Sequence, residues 1–119
     1  MDTATNALID PGTRKALEAV RDGDHAYSVH FVGSGAGAGL QALLWAMCGC
    51  SRLLSGAEFP YAQDETDDHV LGFSPGKYAA ESTAVDMAIA AFLKAVPRSR
   101  HASPVGVGLA ASVASNELH

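Results

Sequence analysis

Seven small residues, Gly33-Ser34-Gly35-Ala36-Gly37-Ala38-Gly39, follow directly on Tyr27-Ser28-Val29-His30-Phe31-Val32, and this junction constrains the fold more than any other part of the chain. Residues 27–32 alternate and are rich in β-branched and aromatic side chains, as a strand requires. Residues 40–47 are apolar on nearly all sides, which predicts a short helix buried against a sheet with Trp45 in the core. A glycine loop between a strand and a helix is a place where backbone amides and the helix dipole hold a phosphate or carboxylate. Small side chains there let the ligand come close.

The flanking segments continue the alternation. Asp10-Pro11 opens a helix with the stripe Ala16, Leu17 and Val20, because a carboxylate caps free amides and proline is tolerated in the first turn. That helix is expected to end near Gly23. Residues 51–61 fit a short strand with Pro60 at its end or edge. The four carboxylates between Asp64 and Asp68 predict a surface helix and loop, closed by the turn signal Ser74-Pro75-Gly76. Ala84, Met87, Ala88, Ala91, Phe92 and Ala95 recur at helical spacing, which predicts a helix over 81–96 that Pro97 ends. After a polar loop, residues 104–109 restart as a strand whose glycines allow close approach of another backbone or a ligand. The expected fold is therefore a single α/β domain over residues 1–119, a layered sandwich with a mixed or largely parallel sheet.

Charge narrows the partners. The chain has 13 acidic residues against 8 Lys and Arg, a formal charge of -5, which opposes a nucleic-acid backbone, since phosphate binding draws on clustered cations. Arg98, Arg100 and His101 form the densest cationic spot and read as a solvated loop. Residues 1–9 have neither the basic start nor the apolar core of a signal peptide, and no run approaches the length of a membrane span. The expected location is the cytoplasm, without membrane or nucleic-acid partners. Cys48 and Cys50, two residues apart, do not suit disulfide geometry and read as buried free thiols.

Several motifs compete at the loop and beyond it. Gly33, Gly35 and Ala38 satisfy the dinucleotide-binding pattern G-x-G-x-x-G/A, with Glu58 roughly 20 residues on as a ribose-binding acid, but the sequence shows no convincing second parallel strand before Glu58. No lysine follows the glycines, so a phosphate-binding P-loop is absent. Asp64, Glu65, Asp67, Asp68 and His69 offer metal-ligand chemistry, yet consecutive acids point in different directions on a helix; no metal or cofactor is expected. Ser34 and His30 are a conceivable nucleophile and base. Tyr61 and Tyr78 are suited to stacking on a base or nicotinamide ring.

Five segments in register resemble the CinA C-terminal domain family: residues 33–39, then Gly49-Cys50-Ser51-Arg52-Leu53-Leu54, Pro60-Tyr61, Glu81-Ser82-Thr83-Ala84, and Gly106-Val107-Gly108-Leu109-Ala110. The resemblance covers about residues 27–115. It implies a small α/β domain with a nucleotide-sized pocket, often a homo-oligomer, whose better-understood members are nicotinamide mononucleotide deamidases. Thr83 and Gly108 match family positions near the pocket, and Ala110 replaces a commonly seen threonine. The deamidase serine falls on Gly35 or Ala36, and Thr66 stands where the motif lysine belongs, five residues after Tyr61. Similar proteins also continue into further sheet structure beyond the position of His119, so this chain reads either as a shortened variant or as one whose sheet a partner subunit completes.

The leading expectation is a non-catalytic protein that senses or sequesters a nucleotide or nucleotide-derived small molecule. Its ligand-binding residues are Gly33, Ser34, Gly35, Ala36, Gly37, Ala38, Gly39, Tyr61, Thr83 and Gly108. The alternative enzyme is an amidohydrolase with Ser34 as a displaced nucleophile and Lys77 or His30 as base. A third reading is an oligomeric interaction module that has lost the pocket.

Overall fold

Three parallel strands form the sheet of the computed structural model, in the order β2-β1-β3. The structure describes residues 10–47, 49, 52–98 and 100–112; residues 1–9, Cys48, Cys50 and Ser51 lie outside the described residues, as does His119. Helix α1 spans Pro11–Asp22, and the Asp10 carboxylate accepts a hydrogen bond from the Thr13 amide at 3.0 Å. Strand β1 (Tyr27–Ser34) leads into α2 (Ala38–Ala46), and β2 (Leu54–Glu58) follows. Helix α3 (Gln63–Thr66) runs on through a π-helical turn, Asp67–Leu71. Gly72 ends it in the left-handed region, with φ 80° and its N–H on the Asp67 carbonyl at 2.8 Å. Helix α4 (Glu81–Ala95) and a 3-10 turn at Pro97 precede β3 (Ser103–Ala110).

β1 is the central strand, and its residues from Val29 to Ser34 are buried. Alternate side chains of a strand face opposite sides. Val29 and Phe31 meet Leu44, Met47 and Leu53 on one face, with Leu17 of α1 packed against them. Val32 meets Met87 and Ala91 of α4 on the other. The chain passes from β1 through α2 to β2, then back across β1 through α4 to β3, so the two crossovers cover opposite faces as right-handed connections do. The apolar packing of fully buried Val32 and Met87 stabilises by roughly 1.5–3 kcal/mol per side chain.

Helix α4 lies very close to β3. A Cβ built on Gly106 would sit 2.1 Å from the Ala88 carbonyl oxygen, and one on Gly108 would sit 2.1 Å from that of Ala84. These glycines therefore admit another backbone, one of the two uses the sequence left open. The buried face of α4 is Thr83, Met87, Ala91 and Ala95, one residue per turn.

Two expectations need correction. Trp45 is 73% exposed, and within α2 only Gln41 and Leu44 are buried. Among the described residues the sheet is three strands wide and α2 covers it with one side, so a helix rich in apolar residues still turns a face outward. The glycine run is also not one loop: Gly33 and Ser34 complete β1, and Ala38 and Gly39 open α2, leaving Gly35, Ala36 and Gly37 to connect them.

Gly108→Ala is expected to destabilise the protein by roughly 1–3 kcal/mol or more, because α4 must lift from the sheet. Gly39→Ala, where nothing lies within 4 Å of a new Cβ, is expected to be neutral or stabilising by up to ~1 kcal/mol. Urea unfolding midpoints of the two variants check both; equal midpoints would show that the α4 contact is not tight.

Candidate functional site

A sheet wound in this order leaves a crevice beyond the carboxyl ends of its strands where the winding reverses, which here lies between β1 and β3. A cleft of about 290 Å³ occupies that position, lined by Ser34, Tyr61, Ala62, Gln63, Tyr78, Ala79, Ala111 and Ser112. Ser34, the last residue of β1, is only 6% exposed. A smaller depression of about 190 Å³ is lined by residues including Arg21, His25, Tyr27 and Arg52. It lies at the amino ends of the strands, where this fold class does not bind its ligands.

Backbone geometry brings the walls together. The Ala111 amide donates to the Ser34 carbonyl at 2.8 Å, extending the β1–β3 ladder by one bond. Gly35, at φ 76°, would place a Cβ 2.0 Å from the Ala111 carbonyl oxygen and 3.4 Å from the Tyr61 ring. Only glycine lets the segment after β3 and the Tyr61 ring approach the loop together. On the other side, fully buried Thr83 donates its hydroxyl to the Lys77 carbonyl, fixing the bent segment that carries Tyr78 and Ala79 to the cleft. The Tyr78 hydroxyl donates to the Asp67 carboxylate at 2.8 and 3.0 Å, so the π-helical turn holds the ring from its tip. The Ser74 hydroxyl favours the phenolate, but desolvation and the Asp67 charge outweigh it, and the Tyr78 pKa is raised. The phenol stays protonated and remains a donor.

The site residues read from the sequence thus fall into three groups. Ser34 and Tyr61 line the cleft, with Gly35 at its edge. Thr83 lies behind the wall and acts through Lys77, whose own side chain is exposed and is not among the lining groups. Gly33, Ala36, Gly37, Ala38, Gly39 and Gly108 do not line it. Gly33 accommodates the Ala36 carbonyl and the Phe59 ring, Gly37 at φ 96° faces Leu109, and Gly108 lies beneath α4. Ala38 and Gly39 begin α2, whose first turn has no side-chain cap. Ala62, Gln63, Ala79, Ala111 and Ser112 were not singled out, and nothing local in the sequence marks them.

Thr66, at the position of the family's lysine, is fully buried with its hydroxyl on the Ala62 carbonyl at 3.3 Å. His30 and Ser34 are not brought together. They lie four residues apart on one strand, about 13 Å at the usual rise. His30 instead places Nε2 3.2 Å from Glu58 Oε2, and Lys94 of α4 donates to the other carboxylate oxygen. Glu58 does end a second parallel strand, contrary to the sequence reading, with Val32 as its partner on β1. Its carboxylate is nonetheless engaged by Lys94 and His30 rather than presented to a ribose. Among the described residues, no three His, Cys, Asp or Glu side chains are grouped to hold a metal ion, and no helix is long and apolar enough to cross a membrane.

Comparison with protein-family models, with curated proteins and with solved structures finds no match. The geometry of the cleft therefore carries the functional argument.

Burial works to raise the Glu58 pKa, and the hydrogen bonds from Lys94 and His30 overcome it, so the carboxyl is held below its usual value of 4.5. A depressed carboxylate stabilises the fold above its unfolded value, and that contribution is lost as pH falls through the folded value. Glu58→Gln is therefore expected to unfold at lower urea than the parent at pH 7, with the gap closing below about pH 4.5. A gap of the same size at both pH values would mean that the ion pair contributes nothing.

Proposed function

We propose that this chain binds, without turning over, a nucleotide or nucleotide-derived small molecule in the cleft between the carboxyl ends of β1 and β3. The observation that carries the reading is that Tyr61 and Tyr78, distant in sequence, line one cleft with the Ser34 hydroxyl. Phenol rings offer broad faces to a base or nicotinamide ring at little entropic cost. Ser34, Gln63 and Ser112 supply hydrogen-bonding groups, while Ala62, Ala79 and Ala111 leave room. The volume is near the lower end for small-molecule sites, roughly 300–1,000 Å³. The resemblance to the CinA C-terminal family supports the same ligand class.

Among the described lining residues, the phenols are the only ionisable side chains, and a serine nucleophile needs a base. That favours binding over hydrolysis. The amidohydrolase reading retains one supporting observation: Lys77 adjoins Tyr78, and its backbone is fixed by Thr83. Its side chain therefore starts beside the cleft, with Ser34 as the nucleophile it would serve.

Thermal unfolding against nicotinamide mononucleotide, ADP-ribose and cyclic nucleotides, followed by mass spectrometry of each compound, separates these readings. A raised midpoint with the compound recovered intact is the expected result. Ammonia release would replace it with the enzyme, and no shift across the panel would leave an interaction module. Tyr61→Ala is expected to weaken binding about 5- to 150-fold, corresponding to the roughly 1–3 kcal/mol of a base–aromatic stack.

Gly39→Asp tests the loop amides without strain. It adds a negative charge to the uncapped first turn of α2 in open space, whereas a side chain at Gly37 would meet Leu109 at a positive φ. An anion held by those amides is expected to bind at least about tenfold less tightly. Unchanged affinity would place the anion elsewhere.

A further inference from the structure

We infer that the outer edge of β3 and the outward stripe of α4 form one face that pairs with a second copy of this chain about a two-fold axis. Strand β3 has eight residues, none of them charged, and pairs with β1 along its whole length without a register shift. It stands at the edge of the described sheet. Proteins usually blunt such an edge with charge, a bulge or short length. Here Pro104, near its start, is the single such device.

Above that edge, α4 turns Val85, Ile89 and Phe92 outward and the 3-10 turn that continues it adds Val96, each 40–54% exposed. Their 4-3-4 spacing makes a continuous ridge along one helix face. The chain carries a formal charge of -5, so two copies repel unless they meet where charge is missing.

The ends of the ridge select the partner and its direction. Exposed Glu81 stands at the start of α4, and exposed Arg98 and Arg100 stand just past its end. An antiparallel second copy brings Glu81 to the partner's Arg98 and the partner's Arg100, whereas a parallel copy would set like charges together. The same arrangement pairs Val85 with the partner's Val96 and Ile89 with the partner's Phe92.

One axis serves both layers. Gly106, near the middle of β3, lies under the Ala88 carbonyl and the Phe92 amide, which bracket the middle of the ridge. An axis through Gly106, perpendicular to the sheet, thus centres antiparallel β3 pairing and antiparallel α4 pairing together. The product is a continuous six-stranded sheet with α4 beside its copy on one face.

Sedimentation equilibrium of the full chain over a wide concentration range tests the inference. The expected species is a dimer of the 12.3 kDa chain. Phe92→Glu is expected to weaken it about a hundredfold or more, since it opposes a charge to the partner's Ile89 and buries it. Circular dichroism checks that this variant folds. Glu81→Arg is expected to weaken the dimer about three- to tenfold, and adding Arg98→Glu and Arg100→Glu to the same chain is expected to restore it. Monomer at every concentration would overturn the inference. So would a dimer indifferent to Phe92→Glu, which would locate pairing elsewhere, for instance on the β2 edge beside Trp45. If Phe92→Glu unfolds, the charge set decides alone, and a triple variant no tighter than Glu81→Arg overturns the proposal.

Discussion

The approach of α4 to the backbone of β3 is the constraint on which the rest of the structure depends. Without side chains at Gly106 and Gly108, the helix descends until Met87 and Ala91 reach Val32 on the central strand. The face of the sheet opposite α2 is closed by that descent. Small residues on both partners replace bulky packing with close backbone contact, where many weak dispersion contacts sum over a short distance. The same descent fixes the start of α4, and with it Thr83, Lys77 and the stretch that brings Tyr78 to the cleft.

The cleft is consequently a product of elements that have no local relation to one another. Ser34 arrives with the central strand, Tyr61 with the chain leaving β2, Tyr78 through its bond to the π-helical turn, and Ala111 by continuing β3 past the loop. Gly35 is the common joint, because its missing side chain is what Ala111 and Tyr61 approach. A π-helical turn is an uncommon element that often accompanies functional sites; here its visible task is to aim the Asp67 carboxylate at the Tyr78 hydroxyl.

Much of the fold was legible because its signals are local. Asp10 with Pro11 announces α1, the alternation from Tyr27 announces β1, the alanine-rich stripe gives α4, and Pro97 ends it. All four lie where those signals put them. Strand β2 was legible only as a range, since Ser55 and Gly56 have weak strand preference and its place beside β1 depends on pairing. Trp45 was misplaced because the width of a sheet is not a local property. A helix that is apolar all round says it can be buried, and the number of strands beneath decides how much of it is.

The site was half legible for a related reason. A glycine reports that something comes close, not what comes close. Ser34 and Tyr61 reach the cleft, whereas Gly33, Gly37 and Gly108 make room for parts of the protein itself. His30 and Glu58 looked like members of two different sites, yet they meet on neighbouring strands, where partners far apart in sequence are joined only by register.

The order of the sheet carries a kinetic consequence. The central strand comes before both of its neighbours in the chain, and its longer ladder, from Tyr27 with Ser103 to Ser34 with Ala110, joins distant segments. β1 can acquire its first neighbour through the shorter β1-α2-β2 unit, but its second side stays open until β3 has been made and α4 has settled. Non-local parallel pairing of this kind must close a large loop before its contacts stabilise anything, which slows folding. During synthesis, the strand that ends up most deeply buried therefore waits with one edge bare, and the speed at which α4 collapses onto it sets how long that edge is open to the wrong neighbour.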